Sequence, residues 1–208
     1  MSELIKVLVV DDHKSMRSFI ENEFTPEYGY TVVEGIENAA DAVAFCTMLH
    51  PNLVIMDVCT KDGSSGLEAT EKILKRFPKI KVIVTSGFDE VTYMPRAKEI
   101  GAHAFVYKIN GGEQYRDAAK RVMNGEYVFP ERKTIPVPEG ETPFTSREME
   151  VLRLASKGIP GQEIAEKLSI SVNTVNRHIE NMRQKAGVNT VMGLMTYVLS
   201  NGWINPNY

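Results

Sequence analysis

Five short apolar runs, each trailed by a helix-like stretch, decide what the first part of this chain can fold into. Leu4 to Val10 comes first, then Tyr30 to Val33, Leu53 to Met56, Lys81 to Thr85 and Ala104 to Tyr107. Between and after them lie stretches of helical character at about His13 to Phe24, Asn38 to Leu49, Gly66 to Phe77, Val91 to Ile100 and Gln114 to Asn124. Runs of Val, Ile and Leu without polar alternation belong to strands covered on both faces, and repeated strand–helix units make such strands parallel. The expectation is an α/β domain over residues 1–125: a doubly wound, five-stranded parallel sheet with helices on both sides.

The pattern then changes. Residues 126–142 hold Pro130, Pro136, Pro138 and Gly140 with few apolar residues, the composition of a linker. From 143 to 208 the period is helical only. Thr145 to Glu148 (T-S-R-E) has capping-box spacing before the apolar series Met149, Val151, Leu152 and Leu154. Further helices are expected at about Gln162 to Leu168, Val172 to Ala186 and Val191 to Ser200, giving a small all-α domain. From Pro143 onward seven basic residues face five acidic ones, a net of +2, which leaves −5 for the rest of a chain whose total is −3. A mildly basic tail on an acidic body is compatible with nucleic-acid contact by the tail. No apolar run approaches a membrane span, and the N-terminus has no basic-then-apolar leader, so a cytoplasmic protein without membrane contact is expected. Cys46 and Cys59 have no metal-binding spacing and read as free thiols of a reducing compartment.

The chemistry is concentrated at strand ends. Asp11 and Asp12 stand just past the first run and Asp57 just past the third. In an open parallel sheet, ligands bind at the carboxyl ends of the strands, so adjacent strands would gather these three carboxylates. One aspartate there could simply cap a helix. Three like charges repel unless a cation lies between them, and an all-oxygen set suits Mg²⁺. Thr85 and Ser86 end the fourth run and Lys108 ends the fifth. A structural salt bridge would explain a lysine beside acids, but it would not explain the ordered set.

That set, DD after the first strand, D after the third, a hydroxyl after the fourth and K after the fifth, resembles a response-regulator receiver domain from about Leu4 to Asn124. The resemblance implies a flavodoxin-like fold and a phosphoacceptor, Asp57, served by a sensor histidine kinase. It implies Mg²⁺ held by Asp11, Asp12, Asp57 and the backbone carbonyl of Cys59. Lys108 would pair with a phosphoryl oxygen and Ser86 would donate a hydrogen bond to another. Ser86 is taken over Thr85 because it lies two residues beyond the inward Val84 and directly before the loop G-F-D-E. Phe105, three residues before Lys108, would be the aromatic that moves with Ser86; an ordinary half-buried strand aromatic is the plain alternative.

One segment departs from the family. Where a Met-Pro step is common, this chain reads D-V-C-T-K-D-G-S-S-G, without Met-Pro and one residue longer before Gly66. With Cys59 and Phe88 flanking the site, the lifetime of an acyl phosphate is open. D-V-C-T also resembles the opening of haloacid-dehalogenase-type phosphatases. Those enzymes need a second Asp as general acid, for which Cys59 is a poor replacement.

Phe144 to Val188, FTSREMEVLRLASKGIPGQEIAEKLSISVNTVNRHIENMRQKAGV, is similar to the LuxR-type helix-turn-helix of NarL/FixJ-class regulators. Gly158 would end one helix and Ser171 would cap the recognition helix. Val172, Val175, Ile179, Met182 and Ala186 recur at threes and fours and form its core stripe. Asn173, Asn176, Arg177, Glu180, Asn181 and Gln184 face away from it; Arg177 could read guanine and the amides adenine. Thr174, Arg183 and Lys185 are placed as phosphate contacts. Glu180 faces a polyanion and would accept from cytosine or pair with Arg177 or Arg183. The last helix, with Val191, Leu194, Met195 and Val198, is either a dimer interface or domain core.

Together these features read as a two-component response regulator, not a conventional enzyme. Phosphorylated Asp57 would favour a homodimer that binds promoter DNA. The alternative is a DNA-binding regulator that ignores phosphate and uses the receiver only to dimerise.

Overall fold

The structure, a computed structural model, describes residues 3–61, 64–87, 93–108, 111–130, 144–201 and 203–204; of Ser146 it describes the backbone alone. Two compact units divide the chain, Met1–Arg132 and Lys133–Tyr208. In the first, β1 (Ile5–Val10), β2 (Tyr30–Ile36), β3 (Leu53–Asp57), β4 (Lys81–Ser86) and β5 (Ala104–Tyr107) form one parallel sheet in the order β2-β1-β3-β4-β5. The order reverses at β1, which leaves a crevice at the carboxyl ends of β1 and β3.

The five helices of this unit are α1 (Lys14–Glu23), α2 (Ala42–Leu49), α3 (Gly66–Arg76), α4 (Tyr93–Glu99) and α5 (Glu113–Met123). Val7 to Val10, Leu53 to Met56 and Val82 to Val84 are sealed from solvent on both faces, which is why those runs show no polar alternation. On one face Val7, Val9, Leu53, Ile55 and Ile83 pack with Ile20 of α1, with Phe24 just after it, and with Tyr115, Ala119 and Val122 of α5. Such dry packing, at roughly 25 cal/mol per Å² of apolar surface buried, holds the strand ends in fixed register.

Three local departures from the sequence reading matter for the site. Asp57 is the last residue of β3 itself, paired with Thr85 across the ladder. The second helix opens with a 3₁₀ turn, Ala39–Asp41, because the Asn38 side chain accepts the Ala40 N–H and tightens that end. Val128, which the sequence places in the linker, bridges Ala104: its N–H donates to His103 O and its carbonyl accepts from Phe105, both at 2.9 Å. A single bridge leaves no periodicity in sequence, so composition alone misses it. The remainder of the expected linker, residues 131–142, lies outside the described residues.

The second unit contains α6 (Ser146–Ser156), α7 (Gly161–Lys167), α8 (Val172–Lys185) and α9 (Val191–Ser200). The Thr145–Glu148 capping box forms in both directions, and Gly158, at φ +74°, ends α6 in the left-handed conformation its lack of Cβ permits. Ser171 caps α8 through the Thr174 N–H. Val175, Met182 and Ala186 are buried as the helical period requires, but Val172, expected on the same stripe, is 39% exposed. It sits in the first turn of α8, where the stripe runs past the end of the core.

Candidate functional site

Parallel register brings the three aspartates together. Ligand atoms of Asp11, Asp12, Asp57 and also His13 lie within 4.8 Å of one another. Asp11 is fully buried; its N–H donates to Ile36 O at 3.0 Å, and its carboxylate accepts the His13 N–H at 2.9 Å. Asp12 is half-buried and its partner is the His13 imidazole, at 2.7 Å. Asp57 is 4% exposed. The Lys108 ammonium lies between the two buried carboxylates, 2.8 Å from Asp11 Oδ2 and 2.7 Å from Asp57 Oδ2.

Charge balance identifies what this arrangement needs. Desolvation costs on the order of several kcal/mol per buried ion, and one ammonium shared by two buried anions offsets only part of it. Burial pushes the Asp57 carboxyl up to about 7; Asp11 adds to the rise, while Lys108 and the Cys59 N–H oppose it. Burial pulls the Lys108 ammonium down, yet Asp57 and Asp11 outweigh it and hold its pKa above the ordinary value. A carboxylate poised in this way beside two more acids fits a hard divalent cation with oxygen ligands.

The other strand ends complete the edge. Thr85 and Ser86 are both buried, but the Thr85 hydroxyl lies 2.8 Å from the Tyr115 hydroxyl, inside the core. Alternation turns Ser86 to the opposite face of the sheet from Thr85. A Cβ on Gly87 would meet the Lys108 stem at 3.7 Å, so the end of β4 abuts that lysine. Phe105 is buried and packs edge-on against Tyr107, ring centroids 5.2 Å apart. Gly66 is required where α3 starts: a Cβ there would lie 1.8 Å from Asp57 O. Phe88 and the rest of G-F-D-E after Gly87 lie outside the described residues.

Sequence reasoning did not single out several residues around this edge. His13 and Arg17 belong to the loop and first turn that carry Asp11 and Asp12, and the Tyr93 hydroxyl of α4 is 3.5 Å from Cys59 Sγ. Their partners are remote in sequence or placed by loop geometry, which no period reveals. Neither cysteine is in a disulfide, and burial pushes the Cys46 thiol up to about 12.

In the second unit, α8 presents Asn173, Asn176, Arg177, Glu180, Asn181 and Gln184 to solvent, the face the helical period selects. The cations on the same helix differ in what they touch. Arg183 is bound to Glu180 at 2.7 Å and also to the Asn189 carbonyl. Lys185 donates to Glu148 at 2.8 Å, a carboxylate held below its usual range despite burial by that lysine and by Thr145. The Thr174 hydroxyl lies 2.8 Å from the Ser171 hydroxyl at the helix cap. On α9, Leu194 and Val198 are core, whereas Val191, Met192 and Leu199 are exposed and Met195 is half-buried.

Comparison with known proteins agrees with this division. Residues 7–120 match the family model "Response regulator receiver domain", and residues 142–198 match "Bacterial regulatory proteins, luxR family". The response regulator protein VraR of Staphylococcus aureus is 33% identical over 191 residues, covering 88% of this chain and 91% of that protein. Among solved structures, RcsB of Salmonella enterica serovar Typhimurium, bound to a promoter in the presence of the phosphomimetic BeF₃⁻, aligns with a TM-score of 0.66 at 21% identity, over 94% of this chain and 98% of its own. A structure of two RcsB dimers bound to two parallel DNAs aligns at 0.63 and 22% identity, over 95% and 98%. No helix among the described residues is long and apolar enough to cross a membrane.

Proposed function

The chain belongs to the response regulators, as a receiver joined to a LuxR-type DNA-binding domain, and from that premise we propose that Asp57 accepts a phosphoryl group and thereby controls DNA binding by the tail. The observation that carries this reading is the meeting of Asp11, Asp12 and Asp57 within 4.8 Å, with Lys108 against two of them. Such chains are transcription regulators; what chemistry this one performs is confined to its own modification.

In the transfer, an oxygen of the Asp57 carboxylate attacks phosphorus. The phosphorus–nitrogen bond of the sensor kinase's phosphohistidine breaks, and the leaving imidazole keeps the electron pair and takes up a proton. Asp11, Asp12, Asp57 and the Cys59 carbonyl would hold Mg²⁺. That ion would supply neutralisation of charge on the transferring group, and these residues would hold the Asp57 oxygen in line with the leaving imidazole nitrogen. Lys108, already paired with Asp57, moves its ammonium to a phosphoryl oxygen, while Ser86 donates to another and Phe105 follows it. The added dianion is bound differently by the two receiver states, which is what shifts their populations.

In the tail, Asn173, Asn176, Arg177, Asn181 and Gln184 meet base edges in a major groove. Thr174, Glu180, Arg183 and Lys185 border that face, with Glu180 and Lys185 committed to partners within the domain. Phosphorylation favours a homodimer on paired half-sites, for which Val191, Met192 and Leu199 offer an apolar face on α9. Such a regulator works in the cytoplasm.

The test is intact mass after incubation with a small acyl-phosphate donor. A single phosphoryl adduct that requires Mg²⁺ and disappears in Asp57→Asn supports the reading. An adduct that survives in Asp57→Asn would overturn it.

A further inference from the structure

The loop that departs from the family closes in its own way. Cys59 and Ser65 form an isolated antiparallel bridge, the Thr60 N–H donates to Ser64 O at 3.2 Å, and Gly66 N–H donates to Val58 O at 2.8 Å. Val58 to Thr60 and Ser64 to Gly66 therefore lie side by side, as two arms that begin at the phosphoacceptor strand. Thr60 is 6% exposed, and its hydroxyl has two partners: it donates to Ser64 O at 3.1 Å and accepts the Ala39 N–H at 2.9 Å. That second bond ties these arms to the turn after β2.

The neighbouring residue extends the tie. Lys61 pairs with Glu37 at 3.4 Å, and Glu37 pairs with Arg17 at 3.3 Å. Arg17 is 12% exposed and donates to the backbone carbonyl of Asp11 at 2.6 Å. It lies over Gly35, where a Cβ would come within 3.1 Å of its Cδ and 2.0 Å of Glu21 Oε1. A continuous chain of contacts thus runs from the Asp57 loop, across the turn after β2, to the loop bearing Asp11 and Asp12.

We propose that Thr60 is a positioning residue for the divalent-cation site, holding the Cys59 carbonyl and Asp57 opposite Asp11 and Asp12, with Glu37 and Arg17 as the outer arm of the same tether. This rests on the phosphotransfer reading. The physical reason is that a divalent ion gains from carboxylates only when several face it at once, so the bonds fixing their loops set affinity without touching the ion. A buried hydroxyl satisfied on both sides fixes a loop; an exposed ion pair contributes less.

The experiment is a titration of the full chain with Mn²⁺ as probe, read by electron paramagnetic resonance, on the natural protein, Thr60→Val, Thr60→Ser and Glu37→Ala. Thr60→Val is expected to weaken Mn²⁺ binding by about tenfold. Its Mg²⁺ requirement for phosphorylation should rise in step, with the rate at saturating Mg²⁺ close to that of the natural protein. Thr60→Ser, which keeps the hydroxyl, should restore most of the affinity, and Glu37→Ala should weaken it by about threefold. A folded Thr60→Val that binds Mn²⁺ like the natural protein would overturn the proposal and leave the phosphotransfer reading standing. If Thr60→Val does not fold, Glu37→Ala decides, and unchanged Mn²⁺ affinity there overturns it. Absence of Mn²⁺ binding by the natural protein would instead remove the cation site itself.

Discussion

The receiver edge and the recognition helix both gather charge, and they do so by different physics. At the receiver edge Asp11, Asp57 and Lys108 are almost wholly desolvated and fixed by a parallel sheet, so each charge is answered at 2.7–2.8 Å. On α8 the polar residues stand in water on one side of a helix, and partners are chosen by neighbouring turns, as Glu180 chooses Arg183. Buried charges are costly to leave unpaired; exposed ones lose little. The comparison therefore sorts residues by what their loss should damage: folding and metal chemistry in the first region, recognition in the second.

The largest expected effect follows from removing Lys108, a cation shared by two buried acids. Lys108→Met should lower the stability of the receiver by about 3 kcal/mol in urea unfolding without divalent ions, and Mg²⁺ should restore part of it. A variant as stable as the natural protein would erase the difference between the two regions.

Lys185 and Arg177, two of the cations of α8, sharpen the comparison from the other side. Lys185→Met leaves the buried Glu148 without its ammonium, so about 2 kcal/mol of tail stability should be lost, with DNA affinity falling only through the folded fraction. Arg177→Ala should leave the melting curve unchanged and cost about 1–3 kcal/mol on a specific duplex if Arg177 reads a base. Equal losses on all duplexes would mark Arg177 as a phosphate contact, and a reversed pattern between the two variants would break the sorting.

A pH dependence is expected at the start of β5. His103 accepts the Val82 N–H through Nδ1 and stacks on Tyr127, and burial, followed by the Lys81 charge, lowers its pKa from 6.5 to about 4. A histidine depressed in the folded state binds its proton more readily when unfolded. Its contribution is therefore fully present above about 6.5 and is lost as pH falls toward about 4. Replacing it with Gln should flatten the melting temperature over that window relative to the natural protein.

What was legible in the sequence follows the same division. Strand ends in a parallel sheet have fixed neighbours, so the order of Asp11, Asp12, Asp57 and Lys108 along the chain was enough to gather them. The helical period likewise picked the exposed face of α8 and the core positions Val175 and Met182. Contacts that depend on a loop's path left no such trace. The Thr60–Ala39 bond joins residues 21 apart, Thr85 meets Tyr115 across 30, and Val128 reaches β5 through backbone alone. On α8 the period could not tell that Lys185 is drawn to Glu148, because that carboxylate also belongs to a capping box 37 residues earlier. Nor could it separate Leu194 and Val198, which are core, from Val191 and Met192, which are exposed on the same helix.

The most direct test of phosphorylation-controlled DNA binding is an affinity measurement on a duplex enriched from a random pool by the phosphodonor-treated protein. Fluorescence anisotropy would be read with and without donor and Mg²⁺, for the natural chain and Asp57→Asn. Tighter binding after donor treatment, absent in Asp57→Asn, is the expected result. Equal affinity in all four conditions would mean that the tail binds DNA without regard to Asp57, and the receiver would then be a dimerisation module alone.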